Sequence, residues 1–570
     1  MNRCLFFLFF QFYVSILNTM QKLYKSVEYI VMNKNLSDII KSFPHNIYNN
    51  NYSNPTISNI AFDSRKVKNN TLFFALPGTH VHGNKFIGQA IKNGAVAIVF
   101  QDELPKEALD YAKQNLLEGK QEPVFIQVQD SRFAMSPASA TFYDNPSKKL
   151  VVIGVTGTEG KSSTVSFIWQ LLRLCEKKAG FISTVQYSLG DNAINNPEHQ
   201  TTPEAPIVQK QLYEMVQAGC EYAVIESSSH GLSSKTNRLG DVLFDVAVWM
   251  NVTHEHLEFH GTHEQYKFDK TNLFRNLDSH NHIKTINKIN KVIPSFGIIN
   301  LEDPSAEYFS LATKQKIFGF SSNNFEKSVN QTKKDIPIFS INNLKDSSKG
   351  ISFSLKHENT DYFVNAPTSG AFNAYNITAA IIAVSKTTKI NIENVSQKCK
   401  DLIPVKGRMT VIDEGQNFEI IVDYAHTPSS FETIFPPLKQ RAKGKIIALF
   451  GSGGERDIQK RPEQGKIAGT WCDTIILTDE DPRGENSLEL LEMIAVGCRS
   501  TGKTEGNGLF IIPDRKKAIR KAFDIAQEND IVLLLGKAHE NSIIYKDYIM
   551  PYDEISEAKQ ALTELNIKTK

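Results

Sequence analysis

Eight short apolar runs punctuate the chain: "AVAIVF" (95–100), "VVIGV" (151–155), "YAVIE" (222–226), "FDVAVWM" (244–250), "KIIALF" (445–450), "TIILT" (474–478), "LFIIP" (509–513) and "DIVLLLG" (530–536). Each is bounded by glycine, aspartate or proline and separated from the next by stretches with helical spacing of apolar residues. A strand with one wet face alternates apolar and polar residues, whereas these runs are apolar throughout and suit strands covered on both sides. Such strands alternating with helices imply an α/β chain built from doubly wound parallel sheets. At 570 residues the chain exceeds what one core can organise and suggests about three domains at ~150 residues each.

Boundaries fall most naturally near Tyr143–Lys149 and near Pro404–Gly407, where turn-forming residues precede new runs of strands. Asn- or Lys-rich stretches at Asn46–Asn54, Ser279–Lys291 and Ser321–Asp335 read as solvated loops. The 64 basic and 62 acidic residues leave a net charge of +2, so no global field draws the chain to nucleic acid or an anionic membrane. Six dispersed cysteines form no CxxC pair, which fits a reducing compartment and excludes a cysteine-built zinc site. The first 31 residues include Arg3 and an aromatic, apolar run to Ile16, a pattern like a signal-peptide core but without a small-residue cleavage site. Met20 or Met32 offers the better start, since "MNKNLSDIIKSF" opens as a capped helix. No other run approaches membrane length, and a cytoplasmic protein is expected.

The densest chemistry begins at "GVTGTEGKSST" (154–164), between an apolar run and a helical pattern. Strand, glycine turn and helix together form a phosphate cradle: backbone N–H groups close on the anion, Lys161 supplies charge and the Ser162 hydroxyl can ligate Mg²⁺. Five residues, not the usual four, separate Gly154 from Gly160. A purely structural turn would need the glycines but not the Lys-Ser pair. Glu226 closes another strand, at the edge where open α/β sheets bind ligands. "NVTHEHLEFHGTHEQYKFDK" carries His254, His256, His260 and His263. His256 and His260 have the spacing for one helical face, so a zinc hydrolase is an alternative, although HExxH is absent.

In order, "TGTEGKSS", "ESSSHGL", "NVTHEHLEFHG", "YKFDK", "GAFNAYN", "GRM", "DYAHTP" and "GSGGERDIQKRP" resemble the motifs of the Mur ligases. These are the ATP-dependent amino-acid-adding enzymes of peptidoglycan synthesis, and the likeness runs from about Leu36 onward, strongest to the branch that adds a diamino acid as third residue. The five-residue P-loop spacing is this family's own. The likeness implies an N-terminal UDP-binding α/β domain (32–145), a central P-loop ATPase-like domain (146–403) and a C-terminal Rossmann-like domain (404–570), with 1–31 an extension or misassigned start. It implies ATP as co-substrate and two Mg²⁺ ions, held by Ser162 with Glu226 and by His256 with Lys270. That lysine is usually N-carbamylated in the family, which turns an ammonium into an anionic ligand; otherwise Lys270 would be a solvated helix residue.

Gly157, Thr158, Gly160, Lys161, Ser162, Ser163, Asn373, Asn376, Arg408, Asp423 and His426 match ATP-site positions, although Asn373 and Asn376 could instead cap a helix. Ser64, Arg65, His82, Gly83, Thr201, Thr202, Ser228 and Arg238 match the UDP-sugar-peptide side. Arg456, Glu480, Asp481, Pro482, Arg483, Gly536 and Glu540 match the amino-acid pocket. The chain departs from the pattern at Glu159, at "EHLE" and at Ala538, which replaces a glycine and so reduces backbone freedom.

The implied reaction adds a diamino acid to UDP-N-acetylmuramoyl-L-Ala-D-Glu through an acyl phosphate, by a monomer that spans no membrane. "TDEDPRGEN" keeps an arginine able to grip a distal carboxylate, which favours meso-diaminopimelate. Asp479, Glu480 and Asp481 could instead hold the ammonium of lysine or ornithine, or simply pair with Arg483. Folylpolyglutamate synthetase and a non-catalytic P-loop protein are the competing functional classes.

Overall fold

The computed structural model describes residues 32–568 except 50–52, 79–80, 120, 197–199, 254–256 and 323–334. Two compact units divide the chain after Tyr143. All eight apolar runs form strands with parallel neighbours, and most of their side chains are fully buried. The α/β class follows directly from that burial.

The first unit carries a five-stranded sheet in the order Asn46–Ile47, Val124–Gln127, Ala95–Phe100, Thr71–Phe74, Asn59–Ala61, parallel except at the first pair. The short helix Leu36–Ile40 forms as expected, but Asn35 makes no side-chain cap. Instead Asn54 Oδ1 accepts from Ser37 N at 2.9 Å, so an acceptor from 17 residues away does the capping work.

In the second unit an eleven-stranded sheet has Val151–Thr156 at its centre, between Tyr222–Glu226 and Val246–Trp249. The chain moves to opposite sides of this central strand as it proceeds, which opens a crevice at the strands' carboxyl ends. Seven adjacent strands from Ala179–Ile182 to Ile338–Ser347 run parallel, with antiparallel ribbons at both edges. A seven-stranded sheet follows in the order Thr410–Ile412, Glu419–Asp423, Ile531–Leu535, Ile446–Phe450, Thr474–Leu477, Gly508–Ile511, Thr504–Glu505. Among the described residues no helix is long and apolar enough to cross a membrane.

Two loop expectations need correction. Asn46–Ile47 pairs as an edge strand, and Ser279–Lys291 contributes the hairpin Ile283–Ile286/Ile289–Val292. Its turn, Asn287-Lys288, takes φ of 52° and 65°, the left-handed pair that a two-residue hairpin turn requires. Lys284 there is 1% exposed and donates to Ser147 O and Leu243 O at 2.8 Å each. Lysine content signalled solvent, but three acceptors, including buried Asp245 at 3.0 Å, satisfy this ammonium. The third stretch lies partly outside the described residues.

Candidate active site

Three neighbouring strand ends build the first half of the site. The central strand ends in the Gly157–Gly160 turn, and the helix Lys161–Leu174 follows. Gly160 has φ 82°, a conformation that demands glycine, and a Cβ there would lie 2.6 Å from Asn376 Oδ1. Asn251, just past the next strand, braces the turn: its Oδ1 accepts from Thr158 N at 3.1 Å and Glu159 N at 2.8 Å. Lys161 Nζ donates to Thr158 O and Lys270 Nζ to Gly157 O, both at 2.6 Å. Lys270 is 1% exposed and lies over the Tyr266 ring. A solvated helix residue is therefore ruled out.

Ser162 Oγ donates to Glu226 Oε1 at 3.0 Å, and Thr184 N donates to the other oxygen at 2.8 Å. Glu226 is 1% exposed and pairs with no cationic side chain among the described residues. A hydroxyl beside a buried carboxylate that has no ion-pair partner among the described residues is a hard-oxygen donor pair that suits Mg²⁺. His256 lies outside the described residues.

The asparagines of "GAFNAYN" do not cap their helix. The cap position of Asn373–Thr388 is Phe372, which makes no side-chain cap bond, and Asn373 Nδ2 bonds back to Ser369 O at 2.7 Å. Asn376 donates to Asn373 Oδ1 and accepts from Thr164 Oγ1 of the P-loop helix at 3.2 Å. Both are buried and tie this helix to the phosphate turn. Ser163 is also buried.

On the side of Glu226, Thr202 Oγ1 donates to Glu226 O at 2.9 Å and accepts from Ser228 N at 3.0 Å. Arg238 Nη1 reaches Thr202 O at 2.9 Å while its Nη2 pairs with Glu204 at 2.9 Å. The long connection from Ser229 thus returns Arg238 to the same group, whose Nε stays buried without a partner. Thr201 is half-buried beside it. In the first unit, Gly83 allows close approach, since a Cβ would lie 2.4 Å from Leu76 O. His82 Nδ1 accepts from Asn84 N, Ser64 is buried, and exposed Arg65 pairs with Asp63 at 2.8 Å.

The second half of the site occupies the carboxyl ends of four adjacent strands in the last sheet. Arg408 reaches over to the P-loop, its Nη2 3.3 Å from Ser162 Oγ. Asp423 fixes the turn that carries it by accepting from Met409 N and Ala425 N at 2.8 Å each. Burial raises the Asp423 carboxyl above the ordinary range, and both oxygens are used within the loop. His426 Nδ1 faces Tyr424 O at 2.8 Å, while the His426 carbonyl accepts from Gln464 at 2.7 Å.

Lys537, fully buried, donates to Asp481 Oδ1 at 2.8 Å and also to Glu540. Arg483 makes no ion pair with the three acids before it; its Nε is buried without a partner. Pairing of Arg483 with its own acidic neighbours is thus corrected: Lys537 takes that role. Ser452 Oγ, Glu480 Oε2, His539 Nδ1 and Arg408 Nε are likewise buried and partnerless. Burial raises the Glu480 carboxyl, against the opposing charges of Lys460, Lys537 and Arg515. Unmet buried polar groups cost about 1–3 kcal/mol each, so these five groups form a surface that a polar ligand would complete.

Backbone strain gathers in the same loops. Met409, Glu455, Arg483 and Ala538 have φ of 49°, 56°, 53° and 36°, values unfavourable to L-residues. Ala538 holds this conformation where a glycine would do so without strain. Pro482 is buried and Gly454 packs on it, with room for no Cβ. Gly536 faces Glu480, and Arg456 is exposed. Lys537, Tyr424, Ser452, His539 and Asn251 were not singled out from sequence, although Tyr424, Ser452 and Asn251 sit within quoted motifs and Lys537 and His539 directly follow the run ending at Gly536.

The zinc alternative fails on geometry. His260 directs Nδ1 to Asp269 at 2.7 Å and Nε2 to Ser229 Oγ at 3.0 Å, all buried, so neither nitrogen is available. His263 starts a helix, and His254 lies outside the described residues. Asp245, His280 and His282 also converge, but Lys284 already neutralises Asp245, and both His282 nitrogens face oxygens at 2.8–2.9 Å.

Comparison with known proteins agrees with the geometry. Residues 56–143 match the Mur ligase family, catalytic domain; 155–384 the Mur ligase middle domain; and 407–538 the Mur ligase, glutamate ligase domain. A UDP-N-acetylmuramyl-tripeptide synthetase of Treponema denticola is 52% identical over 93% of this chain and 98% of its own length. A UDP-N-acetylmuramoyl-L-alanyl-D-glutamate--2,6-diaminopimelate ligase of Geobacillus kaustophilus is 35% identical over 90% and 96% of the two chains. A solved ligase of that latter name aligns with a TM-score of 0.59 at 26% identity, covering 94% of this chain and 100% of its own. With a phosphate turn, a buried Ser–Glu pair and a partnerless polar pocket at the matching places, the chain belongs to the Mur ligase family of ATP-dependent peptide ligases and is of MurE type.

Proposed function

We propose that the protein joins meso-diaminopimelate to UDP-N-acetylmuramoyl-L-Ala-D-Glu, in the cytoplasm and as a monomer, for peptidoglycan synthesis. Residues 32–145 would hold the UDP end through Ser64, Arg65, His82 and Gly83. Residues 146–403 would hold ATP and the muramoyl peptide, and 404–570 the amino acid. Thr201, Thr202, Ser228 and Arg238 face the peptide in this reading. The observation that carries the amino-acid choice is Arg483, whose guanidinium pairs with no carboxylate among the described residues although three stand just before it. A distal carboxylate would complete it bidentately.

Ser162 and Glu226 would hold one Mg²⁺, and His256 with carbamylated Lys270 the second; when bound, these ions screen the charges of the γ-phosphate and the attacking carboxylate. Lys161 exchanges Thr158 O for phosphate oxygen. The D-glutamyl carboxylate takes the γ-phosphoryl group to give an acyl phosphate and ADP. The neutral amine of the diamino acid then attacks the acyl carbon, and the tetrahedral intermediate expels phosphate as the amide forms. Arg408, which bridges the last sheet and the P-loop, helps keep water from the acyl phosphate.

Glu480 supports a second reading. Its buried, partnerless Oε2 could receive the side-chain ammonium of lysine or ornithine. Phosphate release by purified protein with ATP, Mg²⁺ and UDP-muramoyl dipeptide, supplied in turn with diaminopimelate, lysine and ornithine, separates the two. Fastest turnover with diaminopimelate is expected; faster turnover with a monocarboxylate would transfer the assignment to it. Release that needs no amino acid would reject ligation.

A further inference from the structure

Tyr424 touches both halves of the site. Its hydroxyl donates to Glu540 Oε1 at 3.2 Å, and its ring lies under the Arg408 guanidinium, 4.9 Å from centroid to carbon. Arg408 continues to the P-loop hydroxyl of Ser162 at 3.3 Å. Glu540 continues to Lys537, which also holds Asp481 at 2.8 Å. The ring is held between those of His426 and His539, each 4.6 Å away. Asp423, beside it in the chain, fixes the amides of Ala425 and of Met409, the residue after Arg408. Burial and the neighbouring Glu540 and Glu480 charges keep the phenol well above its ordinary range, so the hydroxyl remains a donor.

We propose that Tyr424 is a positioning residue that couples the amino-acid pocket to the nucleotide cradle, so that each ligand raises affinity for the other. The proposal rests on the function given above. The structure shows Glu540 in one arrangement, and the proposal assigns it a second. Without ligand it is shared by Lys537 and the Tyr424 hydroxyl; with a diamino acid present it can trade Lys537 for the substrate's ammonium. The change reaches Arg408 through one rigid ring whose face and edge have different partners. Because coupling between binding sites is reciprocal, the nucleotide at Ser162 and Arg408 must favour the same arrangement from the other end.

The test is calorimetric titration of ADP with Mg²⁺ into wild type, alone and with saturating diaminopimelate, lysine or ornithine, and the reverse titration of each amino acid with and without ADP. The amino acid that supports turnover should tighten ADP binding about fivefold or more, with the same factor in reverse. Tyr424→Phe keeps the ring and removes only the hydroxyl; coupling should fall below about twofold while ADP binding alone changes less than about twofold. Arg408→Lys removes the planar group from the ring and should abolish coupling from the other end. Undiminished coupling in both variants overturns the proposal. Independent binding in a wild type that turns over also overturns it, while leaving the proposed ligase function intact. Absence of turnover with every amino acid overturns both.

Discussion

The glycine turn and the proposed amino-acid pocket are opposite arrangements of buried polar groups. At the turn, the cations are already engaged by the protein's own carbonyls: Lys161 holds Thr158 O and Lys270 holds Gly157 O, and Asn251 accepts from the amides of Thr158 and Glu159. In the last sheet the reverse holds, and Arg483 Nε, Glu480 Oε2, Ser452 Oγ and His539 Nδ1 are buried without partners. A turn whose cations are already engaged persists without ligand at little cost. An unsatisfied pocket stores a penalty that only a matching ligand removes, and for that reason discriminates more sharply between ligands. Strain follows the same division, since Met409, Glu455, Arg483 and Ala538 belong to the second region.

The contrast can be broken most forcefully at Lys270. If its buried ammonium becomes an anionic metal ligand, Lys270→Ala should lower kcat by about 10³-fold, and short-chain carboxylates should restore part of the loss in a steady-state assay. Activity near wild type would remove the carbamate from the scheme. Arg483→Ala comes next: loss of a charge-assisted bond should raise KM for diaminopimelate about 10–100-fold and for lysine or ornithine far less. Equal effects on all three would mean that the arginine does not read a distal carboxylate.

Glu480→Gln sharpens the comparison through stability. Burial raises the folded-state carboxyl of Glu480 above its ordinary 4.5. The folded state then binds more protons than the unfolded, so wild type loses stability as pH rises from about 4.5 through the raised folded value and levels off beyond it. The glutamine variant escapes that loss. Its melting temperature should exceed wild type's by an amount that grows over this window, to about 2 °C at neutral pH; a gap that shrinks with rising pH would contradict the assigned shift. The smallest effect is expected from Ala538→Gly, which relieves a φ of 36° and should stabilise by about 1 kcal/mol in denaturant unfolding.

Legibility from sequence differed between the regions for a physical reason. The turn and its helix are contiguous, so spacing alone placed Gly160, Lys161 and Ser162, and the strand pattern placed Glu226. The hairpin in Ser279–Lys291 was hidden because composition spoke for solvent while Lys284 found three acceptors. Motif likeness brought Glu480, Asp481 and Arg483 to one stretch, but could not tell which acid pairs with which base. Lys537, 56 residues after Asp481, answers that.

The amino-acid sequence by itself determined the strands, the phosphate turn and the family, because continuous apolar runs and short glycine spacings act locally and tolerate little else. Only the tertiary structure decided which charges are spent and which remain open: that Lys537 rather than Arg483 neutralises Asp481, that His260 is consumed by Asp269 and Ser229, and that Tyr424 contacts both Glu540 and Arg408. Those outcomes depend on distances between strand ends far apart in the chain, where electrostatic pairing is set by packing and not by sequence spacing.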